Sequence, residues 1–161
     1  MILYPNAKLN LGLHIVERRP DGYHNLETVF YPFPLCDVLE INAQEGGQPC
    51  TLDINGQKLD CSPTNNLIIQ AMNLLKAAGY DIPPTNISLQ KRIPSGAGLG
   101  GGSADAAFML TGLNELYHLD IPTEQLEAYA TRLGADCAIF IQNKPVYAEG
   151  IGNLFTPVSL S

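Results

Sequence analysis

Five glycines fall within seven residues at Gly96-Ala97-Gly98-Leu99-Gly100-Gly101-Gly102, between Pro94-Ser95 and Ser103-Ala104-Asp105. Residues 87–93 alternate in polarity and predict a strand before this run. Residues 104–117, rich in Ala, Leu and Met, predict a helix after it. A strand, a glycine loop and a helix start together suit an anion. Glycine lets the backbone take positive φ and bring its N–H groups close to a ligand. The helix start adds unpaired N–H donors and the positive end of the dipole. Phosphate is the usual guest of such a loop. The run is not a Walker A loop, because no lysine follows the glycines. Gly96-x-Gly98-x-x-Gly101 satisfies the dinucleotide pattern, but the acid wanted about 20 residues on falls at Asp120, in a turn-like stretch. The His-Arg-Asp and Asp-Phe-Gly signatures of protein kinases do not occur in the sequence.

The 161 residues fit one domain, or one and a small appendage, and 45% hydrophobic content is ordinary for a globular core. A net charge of −7 with no basic run argues against nucleic acid or an anionic membrane as a partner. Proline at position 5 interrupts the start before any signal-like apolar region forms, so a cytoplasmic chain is expected. No apolar run approaches the ~20 residues of a membrane helix. Cys36, Cys50, Cys61 and Cys137 lack zinc-site spacing and are expected to be reduced, although Cys50 and Cys61 can meet across a hairpin.

Residues 7–15 alternate cleanly, with Leu9, Leu11, Leu13 and Ile15 on one face and Lys8, Asn10, Gly12 and His14 on the other. Strands are predicted over 26–33 and 38–42, then a hairpin over 51–61 turning at Asn55-Gly56. Helices are predicted over 67–78, ending at Gly79, and over 122–133, ending at Gly134. Residues 135–141 suit either helix or strand, and 145–149 read as a strand. This order is that of an α+β domain rather than an alternating α/β one.

No Gly-x-Ser-x-Gly or His-Glu-x-x-His pattern exists, so hydrolase and metalloenzyme readings lack parts. Phosphoryl transfer needs a phosphate cradle, a cation, a group to deprotonate the acceptor hydroxyl, and usually Mg²⁺. Lys8 and Lys91 are the candidate cations. Asp136, before the apolar run 137–141, reads as a cap or as a base. Ser103 and Asp105 read as helix-start residues, and Ser103 alternatively offers its hydroxyl to phosphate or Mg²⁺. Tyr23-His24 reads as a surface pair or as a stacking site for a flat ligand.

The stretch 94–107 resembles the second motif of the GHMP kinases, the superfamily of galactokinase and of homoserine, mevalonate and phosphomevalonate kinases. Its triple glycine after Leu99, with residues 7–15, 19–24, 133–136 and 148–152, is similar to one branch. That branch phosphorylates an alcohol carrying a cytidine diphosphate group in non-mevalonate isoprenoid synthesis. The resemblance implies a two-layer α+β sandwich of the GHMP kinase N-terminal type, with a left-handed β-α-β crossover around the phosphate loop. It implies ATP and Mg²⁺ as cofactors. It makes Asp136 the base and Lys8 its charge-stabilising neighbour. It assigns Pro94, Gly96, Ala97, Gly98, Leu99, Gly100, Gly101, Gly102 and Ser103 to the ATP phosphates, and Asn66 and Lys91 to the adenosine side. It assigns Asn10, Tyr23 and His24 to the substrate.

Three departures stand out. Ala104 replaces the second of two usual serines, Cys137-Ala138 replaces a usual Val-Pro, and the chain has the span of the N-terminal domain only. Residues 1–161 are therefore expected to be that domain, without the family's C-terminal one, weakly active alone and able to self-associate through an exposed inter-domain face. A homoserine- or mevalonate-type kinase and an inert nucleotide-binding fragment remain the alternative readings.

Overall fold

A computed structural model describes residues 1–18, 24–61, 66–94, 98–144, 146–149 and 154–157. In chain order its elements are β1 (Ile2–Leu3), β2 (Asn6–Arg18), β3 (His24–Cys36), β4 (Val38–Ala43), β5 (Thr51–Ile54), β6 (Gln57–Asp60), α1 (Leu67–Ala77), β7 (Thr85–Gln90), α2 (Gly101–Leu116), α3 (Thr123–Leu133), α4 (Ile139–Gln142), β8 (Val146–Glu149) and β9 (Leu154–Pro157).

Strict alternation shapes the first sheet. In β7 every second residue is buried and every other one exposed, so Ile87 and Leu89 face inward while Asn86, Ser88 and Gln90 face out. The strand order is β1-β4-β7-β5-β6, with β5 and β7 parallel and the other neighbours antiparallel. The parallel pair is linked through β6 and α1, and the glycine loop leaves the end of β7. Leu39 and Ile41 of β4, Leu52 of β5 and Ile87 of β7 pack against Ile69, Met72 and Leu75 of α1 and Met109, Leu110 and Leu113 of α2. Helices cover one face of the sheet, giving the expected two-layer α+β arrangement. Gly112 lets α2 lie close: a Cβ there would stand 2.6 Å from Leu3 Cδ1 and 2.8 Å from Ile41 Cδ1.

A second, antiparallel sheet has the order β2-β3-β8-β9. It meets the helices through a smaller cluster of Phe30 on β3, Ala104 and Ala107 on α2, and Ile139 and Phe140 on α4. Asn6 of β2 and Asn143 after α4 exchange side-chain hydrogen bonds at 3.1 and 2.6 Å, tying the sheet's first strand to the end of the helical run.

Three local outcomes differ from the sequence reading or resolve it. Helix α2 starts at Gly101 rather than near 104, because Gly100 supplies the left-handed N-cap (φ 72°). Asp105 therefore sits a full turn inside the helix and is buried, so it is not a cap. Residues 135–141 form a turn and the start of the short α4, not a strand. Cys50 and Cys61, expected as free thiols, are joined in a disulfide. The β5–β6 register pairs Thr51 with Asp60, which makes 50 and 61 the next opposed positions, at a Cα–Cα distance of 5.9 Å. Cys36 and Cys137 are free. Among the described residues no helix is long and apolar enough to cross a membrane.

Candidate functional site

The glycine loop sits where both sheets meet the start of α2. Gly98 and Gly100 both have φ of 72°, a conformation that side-chain-bearing residues rarely adopt. A Cβ on Gly100 would lie 3.0 Å from Lys8 Cγ and 3.1 Å from Phe140 Cζ. One on Gly101 would lie 2.9 Å from Ile93 Cγ2 and 3.0 Å from Lys91 Nζ. The glycines thus bring bare backbone against two lysines at once. The first amides of α2 have no partner within the helix and are directed to its N-terminal end, where the dipole favours negative charge.

Two hollows open beside this backbone. One, of about 310 Å³, is lined by Leu67, Lys91, Pro94, Ser103 and the glycine run from Gly98 to Gly102. The other, of about 260 Å³, is lined by Ile54, Asn66, Leu67, Ile68, Leu89, Lys91, Gly102 and Asp105. They share Leu67, Lys91 and Gly102. The first is lined largely by the glycine run at the start of α2, beside the Lys91 ammonium, and suits phosphate. The second has apolar walls and a few polar groups, as small-ligand sites do. Asn66 has a structural task as well, since its side chain accepts from the Ile68 amide and caps α1.

Lys8 stands on the other side of the loop. Its backbone N–H donates to Leu99 O at 2.8 Å, stitching β2 to the glycine loop. Its side chain is buried, with Nζ 3.7 Å from Asp136 Oδ2 and 5.1 Å from the centre of the Phe30 ring. Asp136 lies in the turn between α3 and α4, with 39% of its side chain exposed. The arrangement is an ion pair with one member reachable from solvent and the other held in the protein. Next to it Cys137 is fully buried; burial pushes its thiol up, a hydrogen bond with Ser103 works the other way, and the Asp136 charge adds to the rise.

Lys91 is engaged differently. Its ammonium donates to Asp37 Oδ2 at 2.7 Å and to Asp105 Oδ2 at 2.9 Å. Asp37 is 0% exposed, and its Oδ1 accepts from the amides of Arg92 and Ile93 at 2.6 and 2.9 Å. Burial pushes the Asp37 carboxyl up, but hydrogen bonds from Asp105, the Ile93 and Arg92 amides and Lys91 outweigh it and hold it below its ordinary value. Burial also works against the Lys91 ammonium, yet the two carboxylates raise it above its usual value. Asp105 takes the opposite course. Burial, then the hydrogen bond to Asp37, push it up to about 8 against the pull of Lys91, and its Oδ1 has no hydrogen-bond partner.

The structure brings Lys8, Asp136 and Gly100 together, and gathers Asn66, Lys91, Pro94, Gly98, Leu99, Gly101, Gly102 and Ser103 around the two hollows. Asn10 lies two residues beyond Lys8 on β2 and is exposed. Tyr23, Gly96 and Ala97 lie outside the described residues. His24 opens β3, opposite Arg18. Asp37 was missed by sequence reasoning. The signal available was an acid set between two apolar strand-like runs, at Leu35-Cys36-Asp37-Val38-Leu39.

Residues 66–144 match the model of the GHMP kinases N terminal domain. The whole chain is 59% identical, over 162 aligned positions, to a Bacteroides fragilis protein named 4-diphosphocytidyl-2-C-methyl-D-erythritol kinase. It spans 59% of that relative's length. A crystal structure of 4-(cytidine 5′-diphospho)-2C-methyl-D-erythritol kinase superposes on all of the chain with a TM-score of 0.81 at 40% identity, and the chain covers 56% of it. The mevalonate kinase of Methanococcus jannaschii shares the fold, with a TM-score of 0.74 at 14% identity over 99% of this chain and 56% of that one. The glycine loop, its helix and the packed sheets are those of a known domain type, and residues 66–144 of the chain resemble the N-terminal domain of the GHMP kinases.

Proposed function

We propose that this chain is the nucleotide-holding, base-bearing N-terminal part of a longer cytoplasmic kinase. That kinase transfers the γ-phosphoryl group of ATP to the 2-hydroxyl of 4-diphosphocytidyl-2-C-methyl-D-erythritol, in the non-mevalonate route to isoprenoids. The observation that carries the reading is the Lys8–Asp136 pair set directly against the glycine loop, with Nζ and Oδ2 3.7 Å apart. The names of the relatives support the choice of substrate.

In this reading Asp136 accepts the hydroxyl proton as the substrate oxygen attacks phosphorus. The new O–P bond forms while the bond to the ADP leaving oxygen breaks. Lys8, held by the Phe30 ring and by packing against Gly100, lowers the cost of negative charge on the attacking oxygen. The backbone of the loop and the start of α2 receive the phosphates. The neighbouring hollow, with Asn66 and Lys91, takes the adenosine side. Asn10, Tyr23 and His24 serve the cytidine-bearing substrate.

Among the described residues no group of three His, Cys, Asp or Glu side chains is placed to hold a metal ion. A Mg²⁺ ion would fit as a companion of the nucleotide phosphates, with the Ser103 hydroxyl in the first turn of α2 as the protein's contribution. When bound it neutralises phosphate charge. Activity of the 161-residue chain alone is expected to be weak or absent, since the chain spans 59% of the length of the Bacteroides fragilis relative.

The test is turnover by the full-length protein. With ATP and the cytidine-bearing alcohol, ADP and a 2-phosphorylated product are expected; mevalonate and homoserine as acceptors give neither. Turnover of mevalonate or homoserine in preference to that alcohol overturns the substrate assignment. Wild-type rates in Asp136→Ala overturn the base.

A further inference from the structure

Asp37 has no place in the reaction just described, yet it is the point through which several parts of the site are joined. It is the single residue between β3 and β4, where the chain passes from the four-stranded sheet to the five-stranded one. Its N–H donates to Pro5 O at 2.8 Å, beside the entry to β2. One carboxylate oxygen holds the amides of Arg92 and Ile93, at the exit from β7 into the glycine loop. The other holds the Lys91 ammonium at 2.7 Å.

A fully buried carboxylate is costly unless charged or hydrogen-bonded partners compensate it. A link between sheets does not require one, since an apolar residue would pack there at lower cost. What the carboxylate adds is geometry. It fixes the entry of the glycine loop and the position of the cation that lines both hollows. Gly101 extends this restraint, because a Cβ there would stand 3.0 Å from Lys91 Nζ. The ammonium is thereby confined between Asp37, Asp105 and the first residue of α2.

Resting on the kinase reading above, we propose that Asp37 is a positioning residue for the nucleotide. It holds the Lys91 ammonium and the loop entry in place, so that ATP meets a preformed set of donors. It acts through Lys91 and touches neither ATP nor the acceptor.

The test is steady-state kinetics of the full-length protein, below the melting temperature of each variant. Asp37→Asn keeps an oxygen for the two amides and removes the charge that holds Lys91. Its KM for ATP is expected to rise about tenfold, with kcat and the KM for the acceptor within about twofold of wild type. Lys91→Met should raise the KM for ATP by a similar factor, and the double variant should be no worse than Lys91→Met alone. A merely structural role would lower the melting temperature and leave the KM for ATP within about twofold, and that result overturns the proposal. So does a double variant whose effects multiply to about a hundredfold, since the two residues would then act separately. Where Asp37→Asn does not fold, Lys91→Met decides: a raised KM for ATP supports the proposal, and an unchanged one leaves Asp37 nothing to position and overturns it. A wild type that neither binds nor turns over ATP overturns the kinase reading and this proposal with it. A competent wild type beside an unaffected variant overturns this proposal alone.

Discussion

Two lysines flank one glycine loop and live in opposite circumstances. Lys91 is tightly bound, with two carboxylates at 2.7 and 2.9 Å, one of them wholly buried. Lys8 is more enclosed but loosely paired, 3.7 Å from a carboxylate whose side chain is 39% exposed. The tight arrangement resists rearrangement, so its charge is committed to holding the loop. The loose one leaves Asp136 with free hydrogen-bonding capacity, and its ammonium can respond when negative charge develops nearby. The same pair of residue types thus serves as a fastening on one side of the loop and as working chemistry on the other. The difference comes from how much of each carboxylate is satisfied before any ligand arrives.

The strongest way to break this contrast is Asp136→Ala in the full-length protein. Turnover is expected to fall by about 10³-fold or more while nucleotide affinity, read by calorimetry, stays within about twofold. A large loss of affinity would show that Asp136 also fastens the loop. Lys8→Ala should lower kcat by about 10²-fold with a small change in the KM for ATP. A change confined to the KM would place Lys8 with Lys91, as a holding group.

The tight side makes a pH prediction. The Asp105 carboxyl is raised to about 8 in the fold, against 3.8 ordinarily, so the folded chain binds a proton that the unfolded chain has released. Its contribution to stability is present below pH 4 and is lost as pH rises towards and through about 8. Asp37, lowered in the fold, behaves oppositely: its contribution is present above its ordinary value and lost as pH falls through the folded one. Asp105→Asn should remove the loss at high pH, and urea unfolding should show it more stable than wild type at pH 8.5, by a margin that shrinks as the pH is lowered. Equal stability at both ends of the range would mean that Asp105 is ionised in the fold.

Smaller effects sharpen the picture of the loop. Gly101→Ala forces a methyl against Ile93 and Lys91, and thermal melts should show a loss of about 1–2 kcal/mol with weakened nucleotide binding. Asn66→Ala removes the cap of α1 and should cost about 1 kcal/mol by the same measurement.

Local chemistry made the loop and its helix legible from sequence. Glycine clusters and period-two alternation act over a few residues, so β7, the loop and α2 were foreseeable. The α+β class followed from strands succeeded by helices, and the two-layer arrangement from the resemblance. The Lys8–Asp136 pair was not legible from spacing, because nothing local distinguishes a capping aspartate from a base; only the resemblance of several motifs joined them. Asp37 offered only an acid between two apolar runs as its signal, and its task stayed hidden because its partners Lys91, Arg92 and Ile93 belong to a distant part of the chain. Asp105 was misread because the helix begins three residues earlier than its Ala-rich stretch suggests. Gly100 made that earlier start possible by taking a backbone conformation that other residues avoid. The Cys50–Cys61 bridge was visible as a hairpin geometry, but the compartment argument had set it aside.

The hydrogen bonds between Asn6 and Asn143 have a consequence for how the molecule is made. They close a loop that takes in nearly the whole helical run, and Lys8 and Asp136 sit just inside its two ends. On a ribosome, β2 emerges early and must wait for residue 143 before that closure is available. The glycine loop and its helix can form while synthesis continues, because their contacts with α1 and β7 are already present. Non-local closures of this kind are slow and come late. The Lys8–Asp136 pair can therefore close only after the stretch that forms the cradle it serves has been made.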